Sequence, residues 1–379
     1  LTTLTAERGA LTNTISRLQR GDSGSRSHPF TCVQCLLHAP WRDAPDACCD
    51  DYNLCKNSCL FIWCQPTRVE PTASGSLHMK ILITGGTGFI GRRLVAHLKV
   101  AHEVLVLTRQ GSRAYDLLGH DVKLLDSLDR LDNLNDVDAV INLAGEPIAN
   151  GRWSERRKQL LCDSRWLLTE QLVDLVKLSD TPPRVLINAS AIGWYGRQGD
   201  EPLDEQCQTP HDEFTHQLCQ QWETLAREAR SKHTRVCIVR IGLVLGTDGG
   251  ALPKMLPPYR VGLGGPMGTG NQVMSWIHIQ DLVRAILFLL EHDECDGLFN
   301  GTAPQPVSNR EFSQTLAGTL HRPHLFFVPA PLLQLLMGEA ADLLLTGQRV
   351  LPTRLQQAGF HFTYPALPQA LANLLSTPR

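Results

Sequence analysis

The sequence predicts an α/β protein: a doubly wound parallel sheet with a smaller α/β region toward the C-terminus. Two observations carry this. From Lys80 to Val95 the chain reads KILITGGTGFIGRRLV, a β-branched strand, a glycine turn and a helix in immediate succession. Downstream, the apolar runs EVLVLTR, DAVINLAG and RVLINASA alternate with helix-patterned stretches. Alternation at that spacing builds βαβ units and a sheet covered on both faces.

The elements come in order along the chain. Residues 1–78 show no sustained helical or strand period, yet hold seven of the twelve cysteines: Cys32, Cys35, Cys48, Cys49, Cys55, Cys59 and Cys64. Cys32-x-x-Cys35 has zinc-knuckle spacing, but ACCDDYNLCKNSC supplies no matched second pair, so no metal site is expected. Seven thiols cannot all pair, and no leader directs export, so a disulfide framework is not expected either. The segment reads as an upstream extension, disordered or not natively translated, and dispensable to the domain downstream of it. Met79 stands immediately before the first strand.

Composition excludes several function classes. Thirty-six Lys and Arg against thirty-eight Asp and Glu leave almost no net charge, which gives no basis for nucleic-acid or anionic-membrane partners. No apolar run reaches the ~18 residues of a membrane span; the best, LFFVPAPLLQLLM, is interrupted by Pro329 and Pro331. The N-terminus lacks the basic patch and apolar core of a secretory signal. A cytoplasmic protein acting on a small molecule is the expectation, with a homodimer left open.

The glycine turn carries the first functional signal. In Thr84-Gly85-Gly86-Thr87-Gly88-Phe89-Ile90-Gly91, Gly85 allows a tight turn and Gly88 lets backbone approach a pyrophosphate. Gly91 lets the helix pack close on the strand, and the helix N-terminus offers unpaired N–H groups to the phosphates. With strand, turn and helix in this order, the pattern is that of a Rossmann dinucleotide site. The second strand ends in Thr108-Arg109 where an NAD site usually places a carboxylate for the ribose. A guanidinium there suits a 2′-phosphate, so NADP(H) is expected over NAD(H). Asp138 to Leu143 is a buried-type strand, and the helix after Trp153 has Ser154 as N-cap and Leu160, Leu161, Leu168, Leu172 and Val176 at helical spacing. Pro182-Pro183 ends it, and RVLINASA is the next strand. The predicted organisation is a Rossmann domain over 79–240 and, over 241–379, a substrate region with an appended segment, interleaved with that core.

Further marks are NLAGEPI, RW followed by DSR, SAIGWYG, VRIGLVLG, GLGGPMGTGNQVMSWIHIQDL and NGTAPQPVSNREF. With TGGTGFIG they resemble the extended short-chain dehydrogenase/reductase superfamily, and more narrowly its atypical, YfcH-like branch of NAD(P)-dependent epimerase-family proteins. The resemblance covers essentially all of 79–379. It implies that Gly85 to Gly91 hold the pyrophosphate, that Thr108 and Arg109 meet the adenosine end, and that Leu143, Ala144 and Gly145 line its ribose side. It further implies that Arg165 projects toward the cofactor from the long helix and that Val244 lies near the nicotinamide end.

The departure concerns chemistry. Typical members use a Ser or Thr with a Tyr-x-x-x-Lys pair, whose lysine lowers the phenol's pKa from ~10 for proton transfer. Here the corresponding helix is EFTHQLCQQWETLAREA, and aligning Glu223 puts Thr215 at the Tyr position and Cys219 at the Lys position. Ala191 stands at the serine position, with Ser190 displaced by one. The chain's only Tyr-x-x-x-Lys, Tyr52 to Lys56, falls in the upstream segment. The catalytic candidates are therefore Ser190 and Tyr195, although Tyr195 also reads as a packed ring closing a turn. His278 reads as a base or as a hydrogen-bonder at a helix start, Asp281 as a helix-start residue, and Cys219 as helix packing. The expected activity is oxidoreductase or epimerase chemistry on a small or nucleotide-linked carbonyl or carbinol substrate. The alternative is a non-catalytic NADP(H)-binding sensor or scaffold.

Overall fold

Seven parallel strands make the central sheet of the computed structural model, which describes residues 78–376. The zinc-spaced cysteines and the Tyr52–Lys56 match lie outside the described residues. The strands are β1 (Lys80–Thr84), β2 (Glu103–Leu107), β3 (Lys123–Leu125), β4 (Ala139–Asn142), β5 (Val185–Ala191), β6 (Arg235–Ile241) and β7 (Gly297–Gly301). Their spatial order is β7-β6-β5-β4-β1-β2-β3. The chain runs outward from β1 to β3, returns to β4 beside β1, and runs outward again. That reversal opens a crevice between β1 and β4 at their C-terminal ends, where doubly wound sheets bind ligands.

Helices cover both faces: α1 (Gly91–Leu98), α2 (Gly111–Leu118), α3 (Glu155–Lys177), α4 (Phe214–Arg227), α5 (Leu252–Arg260), α6 (Ile279–Glu291), α7 (Asn309–Thr319) and α8 (Ala330–Met337). Side chains alternate along the strands. Ile81, Ile83, Val106, Ile141, Ile187 and Val239 pack with α1 and α6 on one face. Leu82, Val140, Leu186 and Ile238 pack with α3 on the other. Ser154 does cap α3, its hydroxyl accepting from the Arg157 amide at 3.3 Å.

The chain beyond residue 240 returns to the sheet, because β7 pairs with β6 from Gly297↔Cys237 to Gly301↔Ile241. The same half also has its own core, in which Leu252, Trp276, Phe312 and Leu371 are buried. The fully buried Asp281 fastens the tail to it, accepting from the amides of Thr363 at 2.9 Å and Tyr364 at 2.8 Å. Among the described residues no helix is long and apolar enough to cross a membrane. Nor do they contain a group of three or more His, Cys, Asp or Glu side chains that could hold a metal ion.

Candidate functional site

In the glycine loop, Gly85 and Gly91 take the packing roles that the spacing predicts. Gly85 has φ +69°, and a Cβ there would lie 2.8 Å from the Leu143 carbonyl. A Cβ on Gly91 would lie 2.2 Å from the Gly85 oxygen, so α1 begins hard against the turn. Both glycines serve the fold's own packing. Gly88 differs: its amide donates to the Gly85 oxygen at 2.9 Å, and a Cβ would meet only that oxygen, at 3.0 Å. Its outer side is open to a ligand. No side chain caps α1. The Arg92 and Arg93 amides donate to the Gly88 and Ile90 carbonyls at 3.1 Å, while the amides of Phe89, Ile90 and Gly91 make no hydrogen bond among the described residues and are left for an anion.

Beneath the crevice lies a polar ladder that the sequence reading missed. Thr84 Oγ1 donates to Asn142 Oδ1 at 2.6 Å and accepts from the Ala144 amide at 3.2 Å. Asn142 Nδ2 in turn donates to Thr169 Oγ1 at 2.9 Å and Asn188 Oδ1 at 2.6 Å. All four residues are buried, and their mutual bonds tie the turns after β1 and β4 into one unit. Thr84 and Asn142 at the ends of apolar strands, and Asn188 in the middle of β5, were the signal.

At the end of β2, Thr108 is buried and its hydroxyl accepts from the Gln110 amide at 3.1 Å. Arg109 is exposed and its side chain makes no hydrogen bond or ion pair among the described residues; the side chain of Arg113, in the first turn of α2, is in the same state. Arg113 was not singled out from sequence, because an exposed arginine on a helix carries no local pattern.

Arg165 is placed differently from the expectation. Arg165 does not reach out from α3. Its guanidinium donates to the carbonyls of Glu146 at 3.0 Å and Leu161 at 2.9 Å and lies against Gly145, where a Cβ would approach it to 2.9 Å. Burial pushes its pKa down, and the charge rests over the Trp222 ring. Arg165 therefore braces the Leu143–Gly145 segment from behind. The Phe89 side chain also faces protein: its ring fills the space that side chains at Gly246, Gly249 and Gly250 would need. Arg93 covers that ring, and Arg92 and Arg93 both pair with Asp248. Val244 sits in the short strand Leu243–Leu245, paired with Ile277, and its carbonyl closes on Gly250.

The catalytic candidates are corrected more sharply. Tyr195 is fully buried, and its hydroxyl donates to the Asp204 carbonyl at 3.0 Å and Asn300 Oδ1 at 2.9 Å. Burial pushes its pKa up to about 12. A phenol enclosed in this way holds a turn. Ser190 is also buried, and its hydroxyl donates to Glu223 Oε1 at 2.8 Å. Glu223 is the hub of an ion cluster that the sequence reading used only to set an alignment. Arg240 grips it with Nε on Oε1 at 2.7 Å and Nη2 on Oε2 at 2.9 Å, and Arg227 adds a bond to Oε2 at 2.8 Å. Side-chain exposure is 1% for Arg240 and 0% for Glu223. The Arg240 guanidinium also lies 3.5 Å from the centre of the Trp194 ring.

The positions aligned with the usual pair are closed. Thr215 is buried, bonds Glu213 at 2.9 Å, and presses on Gly193. Cys219 is buried beside Ser190 and Ala191, and burial pushes its thiol up to about 11, as the packing reading requires. His278 caps α6, its Nδ1 accepting from the Gln280 amide at 3.1 Å, and stacks on Tyr364. Its position is that of the helix-start reading, not of a base.

A parallel sheet with its glycine cradle at the strand-order reversal defines a dinucleotide-binding α/β fold of the dehydrogenase type. Residues 81–300 match the NAD dependent epimerase/dehydratase family, and the chain belongs to that family. Residues 328–374 match a domain of unknown function (DUF1731). The chain is 40% identical over 304 residues to the chloroplastic epimerase family protein SDR39U1 homolog of Arabidopsis thaliana, covering 78% of this chain and 87% of that protein. It is 40% identical over 298 residues to an epimerase family protein of Staphylococcus haemolyticus, covering 78% and 99%. The crystal structure of human epimerase family protein SDR39U1 with NADPH superposes with a TM-score of 0.73 at 34% identity, over 79% of this chain and all of that one. UDP-glucuronic acid 4-epimerase from Bacillus cereus, at 17% identity and a TM-score of 0.62 over 78% of this chain and 96% of that one, shares the fold.

Proposed function

We propose that this chain binds NADP(H) and does not perform the proton-relayed epimerisation of its sugar-nucleotide relatives. One observation carries the reading: the cofactor cradle is intact while the Tyr and Lys positions are filled by Thr215 and Cys219, packed and closed. The open side of Gly88 fits a pyrophosphate, and the NADPH in the human relative supports the assignment. Gly85, Gly86, Thr87 and Gly88 shape the phosphate loop, with Ile90 and Gly91 setting the start of α1. Leu143, Ala144 and Gly145, braced by Arg165, line the ribose side. Arg109, joined by Arg113, grips the 2′-phosphate through charge-assisted bonds. The bound nicotinamide supplies or accepts a hydride at a carbonyl or carbinol carbon. At the end of β5 the chain offers that carbon no free acid or base, because Ser190 and Tyr195 are committed to Glu223, Asp204 and Asn300. Any proton must come from solvent or from the substrate itself.

Titration of NADPH and NADH tests the first half. NADPH should bind more tightly, and Arg109→Ala should remove a charge-assisted contact worth about 1.5–3 kcal/mol. Equal wild-type affinities would sink the 2′-phosphate assignment. Turnover tests the second: robust epimerisation of a UDP-sugar by the wild type would defeat it. Tight NADPH binding with no turnover of any carbonyl substrate would favour a sensor or scaffold, a reading supported by the closed Glu223 cluster.

A further inference from the structure

A basic cavity lies at the edge of the sheet opposite the cofactor crevice. Arg184 stands just before β5, Arg235 is the first residue of β6, and Asp296 stands just before β7. These three strands are neighbours and parallel, so the three side chains gather at one set of N-terminal strand ends. The Arg235 amide donates to the Arg184 carbonyl at 3.0 Å, and Asp296 Oδ1 accepts from the Val236 amide at 3.0 Å. Residues 231–234, between α4 and β6, form another wall. The cavity measures about 390 Å³, within the roughly 300–1,000 Å³ of small-molecule sites. The seven residues of β5 place it about 20 Å from the strand ends that face the cofactor.

We propose that this cavity binds a phosphoryl dianion, as free phosphate or on a small phosphomonoester. Charge supports it first. Arg184, Arg230, Lys232 and Arg235 line it together with Asp293 and Asp296, so four cations less two carboxylates leave an excess of two. A phosphomonoester carries about −1.5 to −2 at pH 7 and meets that excess, where a single carboxylate would not. Free donors agree with the count. Arg184 Nε and Arg235 Nε are buried without a hydrogen-bond partner, and buried donors are costly unless an acceptor reaches them. The Lys232 ammonium and the His233 ring, both exposed, make no hydrogen bond among the described residues. The two carboxylates are committed unequally. Asp296 is engaged by Arg230 and the Val236 amide. Asp293 is 70% exposed and comes only within 3.5 Å of Arg184 Nη1 and Arg235 Nη2, so an incoming anion can displace it. Arg235 is already held in place, Nη1 donating to the Cys295 carbonyl at 2.9 Å and Nη2 to the Leu290 carbonyl at 3.0 Å. Its charge is therefore positioned before a ligand arrives, and guanidinium donors match the oxygens of a phosphoryl group.

Isothermal titration calorimetry of the full chain with inorganic phosphate and with glycerol 3-phosphate tests this, with NADPH at saturation and ionic strength held by chloride. Each probe should bind with a Kd near or below about 1 mM. Tighter binding of glycerol 3-phosphate assigns the site to a phosphomonoester and equal binding assigns it to free phosphate; either upholds the cavity. Arg184→Gln should weaken binding on the order of tenfold or more, and Lys232→Ala by about threefold. Asp293→Asn removes the competing charge and should tighten binding by about threefold, a gain that a purely structural role for these residues would not give. Lys232 and Asp293 are exposed, so both of their variants should keep the wild-type melting temperature and NADPH affinity. No saturable heat up to about 20 mM of either probe, or one Kd shared by the wild type and all three variants, would overturn the proposal. Phosphate that binds only by displacing NADPH would also overturn it, assigning the anion to the crevice.

Discussion

Removing the charge on Glu223 isolates what the buried ion cluster does. The carboxylate accepts four bonds of 2.7 to 2.9 Å, two from Arg240, one from Arg227 and one from Ser190. Glu223→Gln keeps the shape but leaves the Arg240 guanidinium buried without a counter-ion, and turns an amide N–H₂ toward donors. Breaking a buried pair on one side costs about 3–5 kcal/mol, a large part of the ~5–15 kcal/mol that holds a domain together. At ~2–4 °C per kcal/mol for a domain of this size class, the melting temperature should fall by roughly 6–20 °C. Urea titration and thermal melting of the single variant provide the measurement. Glu223→Leu combined with Arg240→Met should recover most of the loss, because replacing both partners by apolar side chains is often near neutral. NADPH affinity at a temperature where the variants remain folded should be unchanged. A single variant within ~1 kcal/mol of wild type would refute the view that the cluster is a sealed structural pair.

Other expectations rest on the same geometry. Tyr195→Phe should cost about 1–3 kcal/mol of stability by leaving Asn300 and the Asp204 carbonyl short of a donor, yet leave NADPH affinity and any turnover intact; lost turnover with normal stability would restore the phenol as a catalyst. Burial holds His278 below its ordinary pKa, so the unfolded chain takes up a proton first as pH falls. Its contribution is complete above the unfolded value of ~6.5 and is lost below it. Urea melts at pH 7.5 and 5.5 should therefore show a smaller acid loss in His278→Asn, which can still cap α6; equal losses would argue against it. Cys219, with its thiol raised to about 11 and almost no exposed surface, should resist thiol reagents until the protein unfolds. Modification at the rate of an exposed cysteine in the folded protein would contradict that.

What the sequence made legible was local. The packing glycines of the loop and the Ser154 cap each rest on residues within one turn, where spacing dictates geometry. Tyr195 was ambiguous because the partners that decide its role are remote: Asn300 lies 105 residues further along the chain. Arg165 failed for a related reason, since helical spacing fixes a face but not whether a long side chain reaches outward or folds back on a loop. The ion cluster was the avoidable miss. Arg240 interrupts the apolar strand RVCIVRI and Glu223 the buried face of α4. Charges are almost never buried unpaired, so two in such positions ask for each other.

The closed packing around Cys219 limits what two substitutions could install there. Writing Tyr at 215 and Lys at 219 would restore the family's pattern in the sequence but not in space. A lysine at 219 would enter a site with almost no exposed surface, next to the Arg165 cation, and its natural counter-ion Glu223 already receives two arginines and a serine. A tyrosine at 215 would begin from a Cβ that already touches Gly193. Installing the pair therefore demands that the cluster, the brace and the two residues change together, so packing and not the identity of two side chains decides whether this site can hold it.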